Sequence, residues 1–240
     1  GNILSSSGIA DPSKKGKHFS DTAFQKVMLQ ALQIYPKKVI KANNLRSDWV
    51  IEKGWLLAVN QQRSAFFTPR ESQQAISLLV VHNISLPAGE FGGDHITNLF
   101  LGKINADAHP SFAELAQLQV SAHCLIRRDG SIIQYVSFND KAWHAGISCF
   151  DGRDKCNDFS IGIELEGTDD IPYEDIQYQQ LAKLANSLQK AYPLITDENI
   201  VGHCDIAQGR KTDPGKAFNW QYFHHCLQNL NESTCFFDIT

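Results

Sequence analysis

The run Leu78-Leu79-Val80-Val81-His82-Asn83 constrains this chain more than any other feature. An apolar stretch of that length without alternation reads as a buried strand, and it breaks off at an imidazole. Ile200-Val201-Gly202-His203 repeats the pattern, and Phe159-Ser160-Ile161-Gly162-Ile163-Glu164-Leu165-Glu166 ends in carboxylates. Residues 121–126 and 131–136 read as strands joined by Asp129-Gly130, a strong hairpin signal. Leu181, Leu184, Ala185, Leu188 and Tyr192 recur at helical spacing and predict a helix over 174–192, with a closing helix over 219–230. Ser111 and Glu114 have capping-box spacing and predict a short helix after Pro110. Strands and helices mixed with a hairpin imply an α/β fold, a central mixed β-sheet flanked by helices.

The chain has 240 residues and 42% hydrophobic side chains, enough for one large domain, or one domain with an appendage. Residues 1–50 hold eight Lys/Arg and three Asp/Glu, against fourteen and twenty-three in the remainder. We therefore expect a basic N-terminal extension over 1–50, with a short helix over 20–35, and one larger domain over 51–240. Residues 36–75 read as irregular, with Trp49 and Trp55 as anchors. The net charge of −4 argues against a nucleic-acid partner, which needs a concentrated basic surface. No apolar run approaches the length of about 20 residues that a membrane span requires. Six cysteines in 240 residues are too sparse for a disulfide scaffold, so reduced thiols and a reducing compartment are expected.

A catalytic zinc takes three nitrogen or oxygen ligands and keeps one position open. His82, His203 and Asp213, the last from Arg210-Lys211-Thr212-Asp213-Pro214-Gly215, could supply two imidazoles and a carboxylate. Spacing alone does not select them: His82 and His203 are 121 residues apart, and His109, His123, His144 and Cys204 are also chemically suitable. On the strand 159–166, Gly162, Glu164 and Glu166 share one face and Ile161, Ile163 and Leu165 the other. That polar face is either solvated or places a carboxylate for proton transfer. Lys211 could stabilise an oxyanion beside Asp213, or be a surface lysine. Trp143 could offer a platform to a sugar face. Gly89-Glu90-Phe91-Gly92-Gly93-Asp94 lacks phosphate-loop spacing, so no nucleotide is assigned. Cys204 cannot readily be activated by its neighbour His203, which disfavours a cysteine hydrolase.

Taken together and in order, LLVVHNISLPAGEFGG, VSAHCLIRRDG, AWHAG, CNDFSIGIELEGTD, YQQL and GHCDIA…RKTDPG resemble the AmpD family of 1,6-anhydro-N-acetylmuramyl-L-alanine amidases. This is a branch of the zinc N-acetylmuramoyl-L-alanine amidases, related to peptidoglycan recognition proteins. The resemblance implies that His82, His203 and Asp213 bind Zn2+, that Glu164 rather than Glu166 is the general acid/base, and that Lys211 stabilises the oxyanion. It implies that Asn83, Trp143 and Lys155 contact substrate. The implied substrate is a small anhydro-muropeptide, cut between the lactyl group and L-Ala during peptidoglycan recycling in the bacterial cytoplasm, by an enzyme expected to be monomeric. Gln119 and Lys155 stand where the family pattern often has a basic residue and an Arg, which bears on how the stem peptide is gripped. Three other readings share these residues: an amidase acting on polymeric peptidoglycan, a muropeptide-binding module without turnover, and a structural-zinc protein with Cys204 or His123 as fourth ligand.

Overall fold

A computed structural model describes residues 48–71 and 75–235, all within the unit Leu45–Thr240. The helix expected over 20–35 lies outside the described residues. In chain order the first elements are β1 (Ile51–Glu52), β2 (Trp55–Leu56), β3 (Asn60–Gln61), β4 (Phe67–Pro69) and β5 (Leu78–Ile84). Helices α1 (His95–Phe100) and α2 (Phe112–Leu115) follow, then β6 (Cys124–Ile126), β7 (Ile132–Gln134) and β8 (Asp140–Ala142). Next come β9 (Cys149–Phe150), β10 (Arg153–Asp154) and β11 (Ser160–Glu166). The chain continues with α3 (Asp175–Ala191), β12 (Ile200–Gly202), α4 (His203–Ile206) and α5 (Trp220–Cys235).

Six strands form the central sheet in the order β12-β5-β11-β6-β7-β3. The first four are mutually parallel; β7 returns antiparallel to β6 and β3 runs parallel to β7. The hairpin turns at Asp129-Gly130, where Gly130 adopts φ 82°, a region that suits a residue without Cβ. The expected mixed sheet flanked by helices is therefore present.

One face of the sheet carries the main core. Leu79, Val81, Ile161, Ile163 and Leu165 pack there against Leu181, Leu184, Ala185 and Leu188 of α3 and Phe223 and Leu227 of α5. Each fully buried Leu or Ile contributes about 1.5–3 kcal/mol over its exposed state. Gln177, in the first turn of α3, fastens the helix to the carboxyl ends of the interior strands β11 and β6. Its Nε2 donates to the carbonyls of Glu166 (3.0 Å) and Ile126 (3.3 Å). On the opposite face Leu78 and Val80 meet Ala145, Phe159 and Ile206, and the α1 side chains Ile96, Leu99 and Phe100 cover Leu125, Ile133 and Tyr135.

Three expectations need correction. The described part of 36–75 is not irregular: it holds β1 to β4, with β4 paired to β8 and β3 to β7. Ser111 does precede α2, but its side chain makes no cap bond; its Oγ meets His109 Nδ1 at 2.7 Å instead. The polar face of β11 is not solvated, because all seven residues are buried. Of the two tryptophans, Trp49 is the one packed on the core, partly buried, and Trp55 lies under the Arg63 guanidinium, 4.5 Å from its ring centroid.

Candidate metal centre and catalytic groups

The parallel register builds the site. Glu164 of β11 is the register partner of His82 on β5, and paired residues in adjacent strands share a face. The side chains of Leu78, Val80 and His82 therefore leave the sheet on the side opposite α3 and α5, with Ser160, Gly162 and Glu164 beside them. His203 opens α4 directly after β12, and Asp213 lies in the loop between α4 and α5. The Cys204 amide donates to the Asp213 carbonyl (3.0 Å), tying that loop to the start of α4. The site thus sits at the carboxyl ends of three adjacent parallel strands, where an open α/β sheet leaves a crevice.

Three atoms converge there. His82 Nδ1 and His203 Nδ1 are 3.0 Å apart, and Asp213 Oδ2 lies 3.2 Å from the first and 3.1 Å from the second. Both imidazoles use their other nitrogen elsewhere: His203 Nε2 donates to the Ala145 carbonyl (3.0 Å), and His82 Nε2 lies 2.8 Å from His144 Nδ1. With Nε2 protonated in each ring, three lone-pair atoms face one another with no donor among them. Such a triangle is repulsive unless a cation occupies it. Ligand atoms at about 2.0–2.1 Å from a tetrahedral zinc are about 3.3 Å apart, so the triangle needs to open only slightly. The donor set of two nitrogens and one carboxylate oxygen fits zinc. Among the described residues this is the group of His, Cys, Asp and Glu able to hold a metal ion.

The electrostatics agree with a cation site. Burial lowers the His82 pKa to about 4, against the raising effect of the Asp213 carboxylate beside it. Burial pushes Asp213 up, but the close contacts with His203 and His82 outweigh it and hold the carboxyl below the usual range. Glu164 behaves oppositely. Burial first, then the Asp213 charge, push its carboxyl well above the usual range, while Lys211 pulls it back. Its Oε2 has no hydrogen-bond partner. Glu166 differs: Oε1 accepts from the Gly92 amide (2.5 Å) and Oε2 from the Arg128 amide (3.1 Å). Glu166 therefore pins two loops, and Glu164 is the carboxylate left available. Lys211 is exposed, and its charge acts on both Glu164 and His82.

Residues 72–216, more than half of the chain, match the N-acetylmuramoyl-L-alanine amidase family. The chain belongs to that family. The 1,6-anhydro-N-acetylmuramyl-L-alanine amidase AmpD of Salmonella typhimurium is 60% identical over 172 residues, covering 72% of this chain and 91% of that protein. The protein of the same name from Escherichia coli K12 is 58% identical over 174 residues, 72% of this chain and 94% of that one. A crystal structure of a selenomethionine AmpD derivative superposes with a TM-score of 0.72 at 56% identity, covering 74% of this chain and 99% of the other. The resemblance read from the motifs holds, and so does the enzyme class, an N-acetylmuramoyl-L-alanine amidase.

The remaining residues singled out from the sequence take distinct places in the amidase. Asn83 turns to the loops: its Nδ2 donates to Asp169 Oδ1 (2.8 Å) and to the Pro214 carbonyl (3.1 Å). Trp143 is half-buried, stacked on Phe66 with centroids 6.0 Å apart. Trp143 and Lys155 line one concavity with Thr68, Lys141 and Asn157. Gln119 is exposed. Of the alternative ligands, His109 bonds to Ser111 and lies outside the triangle. His123 is spent on structure, accepting from the Gly162 amide (3.0 Å) and donating to the Asp140 carbonyl (2.9 Å). Cys204 does not join the group, and the five cysteines with described side chains are free.

Sequence reasoning missed three supports. Asn157 Oδ1 accepts from the amides of His144 (3.2 Å) and Ala145 (2.8 Å). Asp169 accepts from Asn83 and from Thr212 Oγ1 (2.5 Å), fixing the loop between Lys211 and Asp213. Arg70 donates to the carbonyls of Phe138, Asn157, Asp158 and Ser160 at 2.7–3.2 Å. These partners lie far apart in sequence and carry no local pattern.

Proposed function

We propose that the chain is a zinc-dependent amidase. It hydrolyses the amide between the lactyl group of 1,6-anhydro-N-acetylmuramic acid and L-Ala of the stem peptide, in cytoplasmic peptidoglycan recycling. One observation carries this reading: two imidazole nitrogens and a carboxylate oxygen converge within 3.2 Å beside a buried carboxylate with an unpartnered oxygen. Names of relatives at about 60% identity supply the substrate class.

His82, His203 and Asp213 would hold the ion. A bound zinc supplies Lewis acidity and lowers the pKa of water towards about 7. Glu164 orients the attacking water through Oε2, takes its proton and delivers it to the departing nitrogen of L-Ala. A carboxyl with a raised pKa suits both halves of that transfer. The Lys211 ammonium stabilises the oxygen on which charge develops. Trp143 and Lys155 offer an apolar face and a cation from one concavity, for the sugar and the peptide carboxylates. Asn83 holds the loops that frame the cleft. Lys155 presents a point charge rather than a bidentate fork, and Gln119 adds none, so the stem peptide is held less rigidly than by a basic residue and an Arg at these positions. The enzyme acts as a monomer.

The test is product analysis. Purified protein is incubated with anhydro-muropeptide or with intact sacculi, with and without a chelator, and products are weighed by mass spectrometry. The proposal expects free stem peptide from the soluble substrate, loss of that activity with chelator, and slow release from sacculi. Rapid release from sacculi would refute the recycling role; undiminished turnover after full metal removal would refute zinc dependence.

A further inference from the structure

His144 is a half-buried histidine that the proposed chemistry leaves unused. Its Nδ1 faces His82 Nε2 at 2.8 Å, and its Nε2 lies 3.1 Å from Ser160 Oγ. The rings of His82 and His144 meet edge-on, with centroids 5.0 Å apart and an interplanar angle of 89°. Gly162 makes this possible, since a Cβ there would collide with the His144 ring. The next residue serves the other imidazole: the Ala145 carbonyl accepts from His203 Nε2 (3.0 Å). That carbonyl is itself held by Arg210 (2.6 Å), and both backbone amides of the pair are held by Asn157 Oδ1. Two consecutive residues, clamped from both sides, therefore receive one N–H from each of the histidines.

An imidazole offers one lone pair when neutral, and the bond made by the far nitrogen decides which atom presents it. We propose that the His144-Ala145 segment is a positioning element that fixes both histidines as Nδ1 ligands, with His144 the positioning residue for His82. The inference rests on the zinc reading. The Ala145 carbonyl can only accept, so it sets the His203 tautomer without ambiguity. His144 can accept or donate at Nδ1, and Ser160 Oγ can accept or donate in turn; in the form proposed, Nε2–H donates to Oγ (3.1 Å) and the Nδ1 lone pair accepts from His82.

The experiment is zinc affinity by competition with a fluorescent chelator, on folded full-length protein. The variants are His144→Leu, which removes the acceptor, His144→Asn, whose Oδ1 restores it near Nδ1, and Ser160→Ala. We expect zinc affinity to fall 10–100-fold in His144→Leu, the range for lost partners of ligand histidines. His144→Asn recovers most of the loss, and Ser160→Ala loses a few-fold. Equal affinities in wild type and His144→Leu overturn the inference, as does a His144→Asn variant as weak as His144→Leu. Should His144→Leu fail to fold, long-range proton–nitrogen NMR of the zinc-loaded wild type decides. A protonated Nε2 on both His82 and His203 is expected; a protonated Nδ1 on either contradicts the proposal. A wild type that takes up no zinc overturns the metal reading itself.

Discussion

Glu164 and Glu166 share a strand and a face and differ in their hydrogen bonds. Glu166 spends both oxygens on loop amides, whereas Glu164 keeps Oε2 free beside the triangle of lone pairs. Glu164→Gln preserves shape but cannot take a proton. Its kcat should fall about 10²–10⁴-fold with zinc content unchanged, measured by steady-state kinetics beside elemental analysis. Lys211→Met should lower kcat about 10²–10³-fold and leave zinc in place, the signature of a group that acts on developing charge. At this scale the sequence was legible in chemistry and illegible in space. The residue types of a zinc site could be named, but with 121 residues between His82 and His203, spacing left His109, His123, His144 and Cys204 open. The motif resemblance closed that choice. His144 shows what such a reading cannot supply: chemically fit as a ligand, it instead stands behind His82 as hydrogen-bond partner.

Elements with their own periodicity were read nearly to their ends. The helix expected over 174–192 is α3, Asp175–Ala191, and the strand expected over 159–166 is Ser160–Glu166. Helical spacing and continuous apolar runs are local signals, so they survive without knowledge of partners. The two- and three-residue strands β1 to β4 and β8 to β10 have no internal signal. Pairing defines them: β1 with β2 and β9 with β10 locally, β3 and β4 with distant segments, as when Phe67–Pro69 meets Asp140–Ala142. The α3 face carries the stability of the sheet on which the site stands. Leu184→Ala, at a fully buried position, should lower unfolding free energy by about 2–5 kcal/mol in urea titrations. The kcat of the folded variant should stay near that of wild type, because Leu184 packs on the face opposite Glu164 and His82.

The whole molecule bears the cost of a buried carboxyl. The Glu164 pKa is raised above its ordinary value of 4.5, by burial first and by Asp213 second. Below 4.5 both folded and unfolded chains hold that proton, and nothing is lost. As pH rises above 4.5 the unfolded chain ionises while the folded carboxyl does not, so stability declines, by up to about 1.4 kcal/mol per pH unit. In chelated protein, Glu164→Gln should therefore melt at or above wild type at pH 7, with the gap closing as pH falls towards 4.5. A gap that widens on acidification would contradict this, as read by thermal melts across pH. The group that costs the fold is the one proposed to move the proton, a trade-off expected at active sites. The central claim is that His82, His203 and Asp213 jointly hold one zinc, and zinc stoichiometry measured after dialysis tests it most directly. Wild type should retain about one ion per chain while His203→Ala and Asp213→Ala each lose most of theirs; full occupancy in Asp213→Ala, or none in wild type, would contradict the account.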